Sequence, residues 1–138
     1  MQKPIAPEIS TWPADDFQLI GARCRRCGDT TFPAQTICQK CTSQDIEEVL
    51  LPRRGTVVAW TTQSFRPAEP YIGRETTQDF VPFGVGLVQL GDVVRVEGRL
   101  TVADPELIVS GMEVELTMVP FTTDDDGTEI LTYAFQPA

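Results

Sequence analysis

The sequence contains no histidine. Without an imidazole, neither a Ser-His-Asp relay nor a Cys-His pair can be assembled, and the commonest general base of acyl-transfer chemistry is missing. Cysteine is scarce as well, with four residues in the whole chain. Positive charge is the third shortage: 11 Lys and Arg stand against 20 Asp and Glu, for a formal net charge of -9 and a pI near 4.4. So acidic a body is poorly matched to a phosphate backbone, so nucleic acid is not expected as a partner. Long apolar runs are absent too. No stretch approaches the roughly 20 residues of a membrane span, and the opening Met-Gln-Lys-Pro-Ile-Ala-Pro has no apolar core of secretory type. A cytoplasmic location with reduced thiols, and no membrane partner, is the expectation.

The cysteines that are present form two pairs, Cys24/Cys27 and Cys38/Cys41, each C-x-x-C, with ten residues between the pairs. This spacing suits two short knuckles feeding one tetrahedral four-thiolate site, and it uses every cysteine. Zinc is the expected ion, one per chain. A single iron in the same cage is the alternative, and two disulfides are disfavoured by a reducing compartment. Four thiolates leave no open coordination position, so the metal reads as structural. With the thiols committed, no free thiolate nucleophile remains, and the chain is not expected to be a complete enzyme by itself. Four thiolates on a divalent ion leave a local charge of about -2. Arg23, Arg25, Arg26 and Lys40, set against Asp29 alone in residues 23–41, read as its balance. Asp124, Asp125 and Asp126 with Gly127 read as a turn, and Glu113 and Glu115 as the outward face of a strand.

Eleven prolines and ten glycines point to turns and short strands. Residues 1–16 form an irregular arm with Pro4, Pro7 and Pro13 around Trp12. Residues 17–54 make the ribbon, and residues 55–138 a β-rich body. Its expected strands are Thr56–Phe65, Phe83–Leu90, Val93–Leu100, Met112–Val119 and Glu129–Phe135, with a turn at Gly91-Asp92 and a break at Asp104-Pro105. About five strands, antiparallel by their short connections and carrying interior glycines, predict an all-β chain: a zinc ribbon followed by a five-stranded OB-fold barrel. A small Greek-key sandwich is the alternative. The segment Arg66–Pro82 is too long for a hairpin loop and carries Tyr71 and Phe80, as a ligand or partner surface would; a merely solvated excursion is the equal alternative.

The motifs also occur in a specific order. Leu19-x4-Cys24-x-x-Cys27-Gly28, Phe32-Pro33 and Cys38-x-x-Cys41 come first, then Gly55-Thr-Val. Val81-Pro82-Phe83 ahead of Gly86–Leu90, Val94–Gly98 and Gly111-Met-Glu-Val114 follow. Over residues 17–138 this order resembles the rubredoxin-like zinc-ribbon plus OB-fold accessory subunits that accompany thiolases. That resemblance implies a non-catalytic subunit docked on a thiolase-fold catalytic subunit, in a heterotetramer, helping to form a CoA or acyl-CoA site. The thiolase would supply the nucleophilic cysteine and the histidines missing here. Partners in the family include acetoacetyl-CoA thiolase with hydroxymethylglutaryl-CoA synthase, steroid side-chain aldolases and benzoylsuccinyl-CoA thiolase. The ending Ile130–Phe135 looks nearest the degradative types. The N-terminal region is shorter than in many relatives. Expected CoA or partner contacts are Arg53, Arg54, Arg74, Phe80 and Phe83. Two readings compete with this one, namely a single-stranded nucleic-acid binder that uses Trp60, Phe65 and Phe83, and a self-contained four-cysteine iron module for electron transfer.

Overall fold

The computed structural model describes residues 2–63, 82–91, 94–102 and 106–138. Arg74, Phe80, Phe65, most of the Arg66–Pro82 segment and the Asp104-Pro105 break lie outside these. Among the described residues the only helical element is one 3-10 turn, Pro7–Ile9; everything else regular is strand. None of the described helices is long and apolar enough to cross a membrane.

Among the described residues, nine strands form two sheets. The small sheet places β2 (Ile20–Cys24) between β3 (Thr30–Thr31) and β4 (Ile46–Leu50), antiparallel to both. The barrel part of the six-stranded large sheet is built from β5 (Arg54–Gln63), β6 (Phe83–Leu90), β7 (Val94–Leu100), β8 (Glu113–Thr123) and β9 (Glu129–Pro137). Its neighbours run β9-β7-β6-β5-β8, and a further β9–β8 pairing closes the barrel. The expected all-β ribbon and five-stranded OB-fold barrel are what is found.

Two features differ from expectation. The β7–β9 pair is parallel, with Arg99 opposite Ala134 and Leu100 opposite Phe135. Short connections predicted antiparallel neighbours throughout, but β7 and β9 are separated by the whole of β8, so no hairpin fixes their direction. The N-terminal arm is not irregular throughout either. β1 (Gln2–Pro4) pairs in parallel with Glu129–Leu131 of β9, and the Ile5 amide donates to the Leu131 carbonyl at 2.7 Å. An exposed ion pair from Lys3 to Asp124 at 2.6 Å fastens the same edge.

Alternation of side chains gives the barrel its interior. Along β6 every second residue is buried (Gly84, Gly86, Val88, Leu90), and Val96, Gly98 and Leu100 do the same on β7. Gly98 sits under the rings that fill the barrel: a Cβ there would lie 2.9 Å from both the Phe135 and the Tyr133 ring. Phe135 itself is fully buried. Leu19 and Leu51, from either end of the ribbon, join Val57, Val88, Leu116 and Phe135 in one core. The ribbon therefore shares its hydrophobic base with the barrel instead of hanging from it.

Polar and aromatic contacts reinforce this junction. The Arg53 guanidinium donates to the Phe17 carbonyl at 2.6 Å and to the Leu116 carbonyl at 3.1 Å, with Glu115 at 3.5 Å and the Phe17 ring beneath it. Phe32, between the two knuckles, meets Tyr133 of β9 edge-on at 5.7 Å, and Tyr133 meets Phe135 at 6.3 Å. The Tyr133 hydroxyl donates to the Glu97 carbonyl at 2.7 Å.

Candidate metal centre

Strand β2 delivers Cys24 into the first knuckle. The Cys24 amide donates to the Asp29 carbonyl at 2.9 Å, the Gly28 amide to the Cys24 carbonyl at 2.8 Å, and the Cys27 amide to the Cys24 sulfur at 3.5 Å. The second knuckle repeats the pattern. The Cys38 amide donates to Ser43, the Thr42 amide to the Cys38 carbonyl, and the Cys41 amide to the Cys38 sulfur at 3.5 Å. In both knuckles the residue after the second cysteine turns left-handed, Gly28 at φ 82° and Thr42 at φ 63°. Glycine allows that turn freely, whereas a β-branched threonine is strained in it. The glycine signal was visible in the sequence; its threonine counterpart carried no local cue.

The knuckles face each other. Cys24 and Cys41 sulfurs are 3.6 Å apart, those of Cys27 and Cys38 are 3.5 Å apart, and all four lie within 4.8 Å of one another. Zinc–sulfur bonds of about 2.3 Å at tetrahedral angles require sulfurs about 3.8 Å apart, so the four donors fit one ion. Cys24 and Cys38 are buried, Cys41 is half-buried and Cys27 reaches the surface.

Residues 11–47 match the family described as ChsH2, rubredoxin-like zinc ribbon domain, and residues 48–119 match ChsH2, C-terminal OB-fold domain. The chain belongs to the ChsH2 zinc-ribbon and OB-fold family. This family member is 35% identical over 124 residues to a DUF35 domain-containing scaffold protein of Pyrococcus furiosus, spanning 89% of this chain and 85% of that protein. It is 29% identical over 132 residues to the benzoylsuccinyl-CoA thiolase subunit BbsA of Thauera aromatica, spanning 94% of this chain and 85% of the relative. Among solved structures it resembles the Ltp2-ChsH2(DUF35) aldolase, with a TM-score of 0.61 and 25% identity over 87% of this chain and 84% of that one.

The electrostatics of the ChsH2-family ribbon divide its cysteines by position in the knuckle. The Cys27 amide, aimed at the sulfur of Cys24, holds that thiol down at about 6. Cys38 is lowered in the same way by the Cys41 amide. Cys27 receives the Asp29 amide, which lowers it, but partial desolvation beside its neighbours and sulfur contacts to Cys38, Cys41 and Cys24 outweigh this and push it up to about 12. Cys41 is raised too: the Ser43 amide lowers it, and burial with the Cys24 sulfur outweighs that. Four neighbouring sulfurs cannot all carry charge unaided, which is the condition a divalent cation relieves. Arg25, expected to balance the sulfurs, is instead engaged by Asp45 at 3.0 Å and Glu47 at 3.4 Å.

Of the residues expected to touch CoA, Arg53, Arg54 and Phe83 lie among the described residues. Arg53 is spent at the ribbon–barrel junction. Arg54 is largely in solvent, 3.8 Å from Glu115, beside an open cleft of about 430 Å³ with Thr56, Gln89 and Glu113. Phe83 lies at the far end of β5, paired with Gln63, beneath the Arg99 guanidinium at 3.8 Å. Trp60 is 37% exposed on the barrel wall, outside the core. The Phe32–Tyr133 contact, which joins ribbon to barrel, escapes sequence reasoning because it links residues 101 positions apart.

Proposed function

We propose that this chain is a non-catalytic, zinc-binding subunit of a thiolase-type enzyme that makes or breaks carbon–carbon bonds in acyl-CoA substrates. The observation that carries the reading is the closed four-sulfur site in a chain without histidine. It consumes every cysteine, so the nucleophile and the base belong to another subunit. Relatives named as a thiolase subunit and as a partner in an aldolase support the same division of labour.

In this reading Cys24, Cys27, Cys38 and Cys41 hold one zinc ion, which supplies no chemistry beyond fixing the ribbon. The chain divides into an arm (1–16), a metal-bearing lobe (17–54) and a barrel (55–138). The barrel and lobe dock on a thiolase-fold subunit in a cytoplasmic heterotetramer of a degradative pathway, with benzoylsuccinyl-CoA the type of substrate. Of the described arginines expected to meet CoA, Arg53 is held at the junction, whereas Arg54 has its side chain 71% in solvent and would make charge-assisted bonds to CoA phosphates, with Phe83 beside the acyl entrance.

Co-purification from the native host tests this. Expected are a thiolase-fold partner in fixed ratio, one zinc per chain by mass spectrometry, and acyl-CoA turnover that needs both chains. Turnover by this chain alone, a red iron-bearing product, or tight single-strand binding at physiological salt would overturn it.

A further inference from the structure

We propose that the cleft where arm, ribbon and barrel meet is a docking site for a partner segment that presents an arginine beside an apolar side chain. This deepens the accessory-subunit reading and rests on it for the identity of the partner, but it is testable without that partner.

The cleft encloses about 670 Å³, within the roughly 300–1,000 Å³ typical of binding clefts. Its walls come from three parts of the chain: Glu8 and Ile9 of the 3-10 turn, Phe32 and Pro33 from between the knuckles, and Glu97 and Tyr133 of the barrel. Phe32 and Tyr133 are half-buried, so the cleft offers aromatic surface. The Tyr133 hydroxyl is already donated to the Glu97 carbonyl and offers no further proton. Glu8 and Glu97 are exposed, and neither forms an ion pair among the described residues.

These features select one occupant. Two carboxylates repel an anion, which removes a CoA phosphate or nucleic acid from this cleft. A purely aliphatic group would strip water from both carboxylates with nothing in return. A guanidinium meets both requirements, stacking on an aromatic ring and pairing with a carboxylate through its planar fork, while a neighbouring apolar side chain covers Ile9 and Pro33. Lysine pairs but stacks less well. Because Phe32 and Pro33 lie between the two cysteine pairs, one wall of the cleft is held in place by the knuckles.

The test is a titration of the full zinc-loaded, 15N-labelled chain with acetyl-Leu-Arg-Leu-amide, and with acetyl-Leu-Glu-Leu-amide as control. The arginine peptide is expected to shift the amides of Phe32, Ala34, Glu97 and Tyr133, and the glutamate peptide to leave them unmoved. The double variant Glu8→Gln with Glu97→Gln, both on exposed residues and so retaining the fold, should bind about tenfold more weakly. No response, an equal response to both peptides, shifts centred elsewhere, or unchanged binding in the double variant would each overturn the proposal. A complex with the thiolase-fold subunit that ignores the double variant would remove the cleft and keep the accessory reading. Peptide binding without any such complex would do the reverse.

Discussion

Replacing Phe32 by alanine cuts the one ring that reaches from between the knuckles to the barrel, and its cost can be worked from the geometry. The ring meets Tyr133 at 5.7 Å and 87°, an edge-to-face contact of the kind that contributes about 0.5–1.5 kcal/mol beyond area burial. A fully buried Phe→Ala change costs about 3–5 kcal/mol, so a half-buried ring should cost about 2 kcal/mol in all. At roughly 2.1 cal/mol/K per residue, that is a fall in melting temperature of about 7 °C for a chain of 138 residues. A double-mutant cycle isolates the part owed to the contact. Phe32→Ala, Tyr133→Ala and the pair together are unfolded in urea as zinc-loaded proteins. Tyr133→Ala also loses the bond to the Glu97 carbonyl and the Phe135 contact, but both losses cancel in the cycle. A coupling of about 0.5–1.5 kcal/mol is expected. Additivity within about 0.3 kcal/mol would show that Phe32 does not tie ribbon to barrel, and the reasoning would fail.

Three further outcomes follow from the same geometry. Thr42→Gly removes a left-handed strain of about 1–2 kcal/mol and adds about 0.5–1 kcal/mol of unfolded-chain entropy, so it should stabilise by about 0.5 kcal/mol. Gly28→Ala, with open space around its Cβ, should instead lose about 1 kcal/mol through backbone strain alone; thermal melts of both variants check the opposite signs. Removing the metal with a chelator should strip hydrogen-exchange protection from Ile20–Cys24 and Ile46–Leu50 while β6 and β9 keep theirs, since the ribbon owns little core besides its cysteines. Protection retained in both would mean that metal does not hold the lobe. Burial, with the Glu97 charge adding, pushes Tyr133 up to about 12 from an ordinary value of 10. The folded state thus favours the neutral phenol, and its contribution is intact below pH 10 and lost as the pH rises through 12. Phenolate absorbance should show a tyrosine titrating near 12 in the folded chain that is absent from Tyr133→Phe; a single ordinary transition in the unaltered chain would contradict the burial argument.

What the sequence made legible was short in range. The C-x-x-C pairs, the two-residue alternation of Val94–Leu100 and the bounds of Phe83–Leu90 are each written within ten residues, and each appears in the fold as expected. The features that escaped are pairings across distance. Arg53 reads as a cation available for phosphate until the Phe17 carbonyl, 36 residues away, is seen to accept its proton. The parallel β7–β9 seam and the docking of Gln2–Pro4 on β9 have no turn residues to announce them.

The same distinction bears on how metal and barrel communicate. Sulfur geometry is set locally by amides inside each knuckle, so the site can assemble from its own segment. Its consequences leave that segment by Leu19 and Leu51 in the shared core, by Arg53 across the junction, and by Phe32 against Tyr133. A partner that grips the arm–ribbon–barrel cleft would therefore feel the state of the knuckles through Phe32 and Pro33, although no metal ligand lines that cleft. In the proposed accessory role, the four sulfurs would bear on a partner's reaction through the shape they impose on this surface, some residues removed from them.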